Sequence, residues 1–143
     1  GMGGETILSI LKAAPWTADG QHTLLLQPQS HEEMVRQYLA ENGFIITREA
    51  LVRDRGTLYT VMEARAGKAK LTLTQIWGGV CLLQDPLADR YIIEKIVRTQ
   101  AALAGAKRSA RPADAERAEE LRAVLTALLR AREEWRHANR RTN

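Results

Sequence analysis

Three glycines crowd the first four positions, Gly1-Met2-Gly3-Gly4, and a helical pattern with Ile7, Ile10, Leu11 and Ala14 on one face follows at once. Glycines in such a place let a ligand approach the backbone N–H groups at the positive end of a helix. The stretch has the form of a strand-to-helix turn with its exit but no strand ahead of it. The competing reading is a frayed terminus, with Gly1 a cloning remnant and Met2 the encoded start. Other catalytic sets are missing. His22, His31 and His137 lie far apart without metal-ligand spacing. Ser9, Ser30 and Ser109 lack the glycines of a nucleophile elbow. Cys81, the only cysteine, sits among Val80, Leu82 and Leu83 and reads as a small buried hydrophobe.

The 143 residues suit one domain, or one domain with a helical appendage. A hydrophobic fraction of 45% supports a globular core, and with Phe44 the single phenylalanine that core is mostly aliphatic. No apolar run is long enough to span a bilayer and no stretch reads as a signal peptide, so a soluble cytoplasmic protein is expected. The charge is asymmetric. Residues 1–89 hold 8 Lys and Arg against 10 Asp and Glu, whereas residues 90–143 hold 13 against 7. The net charge of +4 therefore belongs to the C-terminal part. An acidic polymer such as RNA fits that asymmetry; a solvated, arginine-rich helix face fits it equally.

The elements that must position these groups follow from periodicity and turn chemistry. A helix is expected from Glu5 to Ala14, ended by Pro15, then a turn at Thr17–Gly20. His22–Gln27, with Leu24-Leu25-Leu26, reads as a strand buried on both faces, as in a parallel sheet. Ser30-His31-Glu32-Glu33 has the form of a capping box for a helix that ends at Glu41-Asn42-Gly43. Phe44–Val52 and Thr57–Ala66 read as strands, and the short turn between them demands an antiparallel hairpin. Gly67–Gln84 reads as irregular. Asp85-Pro86 starts a helix with Tyr91, Ile92, Ile96, Gln100 and Leu103 on one face, ended by Gly105. A last helix begins near Pro112 or Asp114 and carries Leu121, Val124, Leu128, Ala131 and Trp135 at spacings of three and four, so the two form a helical hairpin or short antiparallel coiled coil. Trp135 is expected to pack within that hairpin rather than stack on a base.

Several stretches, in order, resemble the bacterial tRNA (adenine-22-N1)-methyltransferases, the TrmK family. Gly1-Met2-Gly3-Gly4-Glu5-Thr6-Ile7 is similar to the glycine turn that the family carries after the fourth strand of its methyltransferase domain. Leu24-Leu25-Leu26-Gln27-Pro28-Gln29 resembles the family's Leu-Gln-Pro-Asn stretch on the next strand, with Gln29 where the family favours asparagine. Tyr38–Phe44 and Tyr59–Ala64 fall where the family has similar sequences, Gly78-Gly79 where it tends to have glycine then proline, and the paired helices where it ends in a coiled coil.

The resemblance implies an α/β fold: the C-terminal half of a Rossmann-like class I methyltransferase sheet. It would have three strands, the last two an antiparallel hairpin and the final strand between the other two, followed by a two-helix antiparallel coiled coil. Residues 1–84 would be the partial methyltransferase domain and residues 85–143 the helical hairpin. It implies that Met2, Gly3, Gly4, Gln27, Pro28 and Gln29 line the cofactor and target base. Gln27 would bond an adenine edge or cap the next helix. Lys107, Arg108, Arg111, Arg136, Arg140 and Arg141 are candidate contacts to tRNA phosphates. N1 methylation needs a positioned base and a nearby sulfonium rather than a catalytic triad. The cofactor of the intact family enzyme is S-adenosylmethionine. Its glycine turn and acidic residue on the first strands would lie ahead of this chain, so no cofactor is expected on the fragment. The expectation is therefore a fragment inactive alone, with a stand-alone RNA-binding or interaction module as the alternative. A frayed Gly-Met-Gly-Gly and a homodimer, through an exposed strand edge or the terminal helices, are expected with it.

Overall fold

A computed structural model describes residues 2–140. Its elements are α1 (Gly4–Lys12), a 3-10 turn (Pro15–Ala18), β1 (Thr23–Leu26), α2 (Glu32–Glu41), β2 (Phe44–Asp54), β3 (Thr57–Ala66), α3 (Leu73–Gly78), α4 (Ala88–Arg108) and α5 (Pro112–Ala138). The three strands make one sheet in the order β1-β3-β2, and β3 runs antiparallel to both neighbours. Arg55 and Gly56, both at positive φ, make the two-residue turn that the right-handed twist of a hairpin favours.

A bulge between Ile46 and Arg48 decides what β2 buries. Ahead of it the even positions Phe44 and Ile46 point into the core; past it Glu49 and Leu51 do. One extra residue shifts the side-chain alternation by one, so an acidic residue takes a core position. The inner face of the sheet packs Met62 and Ala64 against Ile7, Leu8 and Leu11 of α1 and Val35 and Leu39 of α2. A second cluster joins Leu51 and Leu58, beside the hairpin turn, to Tyr91, Ile92 and Ile96 of α4 and Leu128 and Ala131 of α5. The third, Leu103, Ala106 and Ala118, is built from α4 and α5 alone.

Several sequence expectations need correction. β1 is not buried on both faces: it is an edge strand, antiparallel to β3, and Leu25 is 74% exposed. Ser30 does not cap α2. The N-cap is His31 in the left-handed conformation, without a side-chain cap. The Ser30 carbonyl instead accepts the Gly4 N–H at 2.9 Å, and that tie to the chain start sets the local backbone. A capping box occurs where irregular structure was expected: Thr72 and Gln75 exchange hydrogen bonds at the start of α3. Asp85 does not sit at the N-cap of α4, which begins three residues later. Its carboxylate accepts the N–H groups of Leu51 and Leu87. Gly105 does not end α4, because a continuing helix packed on α5 outweighs the modest penalty of one interior glycine. Cys81 is exposed rather than buried.

The terminal helices form the expected hairpin. Trp135 packs in it and donates from Nε1 to the Asp85 carbonyl at 2.9 Å, pinning the end of α5 to the start of α4. Gly78 lets α3 meet α5 closely: a Cβ added there would lie 2.5 Å from the Ala131 Cβ. Among the described residues no helix is long and apolar enough to cross a membrane.

Candidate functional site

The start of the chain and the end of β1 meet. Met2 forms a parallel bridge with Pro28, the Gln29 N–H donates to the Met2 carbonyl at 2.9 Å, and the Gly4 N–H donates to Ser30. The glycines are demanded by this approach: a Cβ on Gly4 would sit 2.6 Å from the Ser30 oxygen and 2.8 Å from that of His31, and one on Gly3 would sit 3.0 Å from the Ser30 Oγ. Met2-Gly3-Gly4 is therefore held, not frayed; Gly1 lies outside the described residues. The candidates Met2, Gly3, Gly4, Gln27, Pro28 and Gln29 form one small surface at the carboxyl end of β1, where open α/β sheets place ligands. Pro28 is fully buried beneath it, whereas Gln27 and Gln29 are exposed. Among the described residues neither Gln27 nor Gln29 has a side-chain hydrogen bond, so Gln27 does not cap α2.

The basic candidates are not brought into one patch. Lys107, Arg108 and Arg111 are exposed at the tip of the α4–α5 hairpin. Arg136 and Arg140 lie at the other end of α5; the 25 residues from Arg111 to Arg136 rise about 37 Å. Arg111 pairs with Asp114 at 2.9 Å and Arg140 with Glu133 at 3.9 Å, both at the surface. Arg141 lies outside the described residues.

What the sequence reading missed is a buried polar network between sheet and hairpin. Arg36 and Glu49 have fully buried side chains. Arg36 donates to both Glu49 carboxylate oxygens at 3.1 and 3.2 Å, to the Ile76 carbonyl at 2.9 Å and to the Tyr91 hydroxyl at 3.0 Å. Glu49 also accepts the Val80 N–H at 3.1 Å. Tyr91 donates onward to Glu32 at 2.8 Å, and Lys95 donates to the same Glu32 oxygen. Burial works against the Arg36 charge, but Tyr91 and Glu49 more than offset it and hold the proton more tightly than usual. Burial likewise opposes the Glu32 charge; the Lys95 ammonium and the hydrogen bonds from Lys95 and Tyr91 prevail, taking its carboxyl down to about 2. Although Cys81 is exposed at the surface, partial desolvation of its sulfur, reinforced by Glu49, raises its thiol, which argues against a reactive thiolate. The faint signal in the sequence was a pair of four-residue spacings, Glu32 with Arg36 and Tyr91 with Lys95.

A cleft of about 340 Å³ opens between this network and the β1 end, with Gln29–Glu33 and Thr57–Tyr59 on one side and α4 from Tyr91 to Ala102 on the other. Trp77 also lines it. Among the described residues no group of three His, Cys, Asp or Glu is placed to hold a metal.

A family model for tRNA (adenine(22)-N(1))-methyltransferase, TrmK, matches residues 1–130. The Bacillus subtilis (strain 168) tRNA (adenine(22)-N(1))-methyltransferase is 34% identical over 67 residues, 47% of this chain and 28% of that protein. The crystal structure of the B. subtilis M1A22 tRNA methyltransferase TrmK is similar at a TM-score of 0.81 and 21% identity, over 92% of this chain and 60% of that one. That of a Streptococcus pneumoniae putative tRNA (m1A22) methyltransferase in complex with S-adenosyl-L-methionine is similar at 0.74 and 24%, over 92% and 57%. The chain thus spans about three fifths of the solved structures it matches.

Proposed function

The chain belongs to the TrmK family of tRNA (adenine(22)-N(1))-methyltransferases, and on that premise we propose that it is the C-terminal, RNA-facing part of a cytoplasmic, S-adenosylmethionine-dependent tRNA adenine-N1 methyltransferase, inactive alone. The carrying observation is the surface where Met2-Gly3-Gly4 meets Gln27-Pro28-Gln29 at the carboxyl end of β1, with α4 of the C-terminal hairpin lining a cleft that ends at Gln29. In this reading the exposed Gln27 and Gln29 amides supply the donors and acceptors that hold an adenine edge, and the hairpin supplies phosphate contacts.

The residues present do not fit the cofactor by themselves. The N–H groups of Gly4 and Gln29 are spent on each other's loops, at 2.9 Å each, and so are not offered to a ligand. No carboxylate stands among the six lining residues to take a ribose hydroxyl. Calorimetric titration of the chain with S-adenosylmethionine, paired with a methyl-transfer assay on a tRNA transcript, tests the proposal. No binding and no transfer are expected; turnover refutes the inactivity, and saturable binding refutes the statement that these residues do not hold the cofactor. The exposed β1 edge, with Leu25 outward, supports self-association as a further part of the reading. A monomeric mass by light scattering at high concentration refutes that part.

A further inference from the structure

We propose that the cleft between the Gln29–Glu33 loop and α4 seats one nucleotide of the bound RNA, with the Arg98 guanidinium meeting its phosphate. This deepens, and rests on, the RNA-facing role proposed above. Its volume, about 340 Å³, falls at the low end of the roughly 300–1,000 Å³ range of small-molecule sites, which suits a single nucleotide.

The charges sort themselves by partner. Lys95 and Glu32 satisfy each other inside the network. The other acids of the cleft are paired more loosely: Glu33 stands 3.7 Å from His31 and also supports the Lys95 charge, and Glu94 stands 3.8 Å from Arg90. Arg98 is exposed, and among the described residues it has no acid partner. The cleft thus offers Arg98 for a phosphate and two carboxylates for the amino groups of a base; the half-buried Tyr59 and Trp77 also line it, with the Lys95 ammonium 5.9 Å from the Trp77 ring. One end of the cleft is Gln29, beside the proposed adenine surface. Along the α4 axis Arg98 lies about 15 Å from Arg108 at the hairpin tip. A free nucleoside triphosphate is a poorer fit, because the cleft lacks the cluster of unpaired cations that three phosphates require.

The test uses the whole chain, an unmodified tRNA transcript and adenosine 5′-monophosphate as separate probes. The indole N–H resonances of Trp16, Trp77 and Trp135 are followed by NMR. Both probes are expected to shift the Trp77 signal and leave that of Trp16. Arg98→Glu, at an exposed position that folding does not need, is expected to weaken tRNA binding about tenfold at 0.1 M salt and to abolish the Trp77 shift. Arg98→Gln should fall between, and the charge reversal Lys107→Glu should weaken tRNA binding without altering the monophosphate response. If tRNA binds while Trp77 stays still and Arg98→Glu binds normally, the cleft assignment is overturned and the RNA-facing role survives. If the monophosphate shifts Trp77 but tRNA does not bind, the RNA-facing role falls and takes the RNA assignment with it. If neither probe acts, both are overturned.

Discussion

Replacing Glu49 by Gln keeps the shape of the side chain and removes its charge. Arg36 is then left as a cation with 0% exposed surface and only neutral acceptors: the amide oxygen, the Ile76 carbonyl and the Tyr91 hydroxyl. Removing one partner of a buried ion pair typically costs about 3–5 kcal/mol, because the survivor keeps its desolvation penalty. An amide oxygen at the Oε1 position still receives the Val80 N–H and the Arg36 Nε–H, but the NH₂ at the Oε2 position then faces an Arg36 Nη2 donor, so the second bond of the pair becomes a donor–donor contact. Against a total stability of roughly 5–15 kcal/mol for a domain, this is a large fraction. Urea unfolding at pH 7 is the assay. Arg36→Met alone should cost about the same, since it strands the Glu49 carboxylate. The double variant Arg36→Met with Glu49→Leu, which removes both charges and fills the space, should regain most of the loss. A Glu49→Gln protein within about 1 kcal/mol of the parent would refute the reasoning, as would a double variant no more stable than the two single losses added together.

A second prediction concerns acid. Glu32 titrates at about 2 in the folded chain against 4.5 ordinarily, so its depressed value contributes stability that is present above pH 4.5 and lost as pH falls towards 2. The shift corresponds to about 3 kcal/mol. Stability measured by urea between pH 6 and 2 should fall less steeply for Glu32→Gln, whose Lys95 is unpaired throughout; parallel curves would sink the assignment. Gly4→Ala should destabilise by about 1–3 kcal/mol, because its methyl meets backbone oxygens that cannot swing aside. Thermal denaturation reads the change, and an unaltered midpoint would mean that the chain start does not dock on the β1 end as described.

Much of the fold was legible because its causes are local. Thr57–Ala66 has the bounds read from sequence, since Arg55-Gly56 marks the turn and a parallel crossover cannot fit in two residues. Gly43 takes its left-handed conformation where the stop signal required it. The two long helices follow from three-and-four spacing, and Pro112 opens the last of them. The six residues that the family resemblance implied lie next to one another in the structure, Met2-Gly3-Gly4 against Gln27-Pro28-Gln29.

What escaped the sequence was decided by contacts between distant residues. The Leu24-Leu25-Leu26 run says apolar but cannot say how many faces are covered; Leu24 and Leu26 pack on the core, whereas Leu25, on the opposite face of β1, is bare. Ser30 has the right chemistry for a cap, yet α2 starts from His31, and the Ser30 carbonyl is held by the Gly4 N–H twenty-six residues earlier. The alternation of β2 looks polar at Glu49 until the bulge turns that residue inward onto Arg36. Tyr91 and Lys95 reach Glu32 across 59 and 63 positions. By itself the sequence determined which segments form strands and helices, because propensity, periodicity and turn chemistry act within a few residues. Only the tertiary structure decided which charges are buried together and where the cleft opens, because desolvation and ion pairing depend on neighbours that the chain brings from far away.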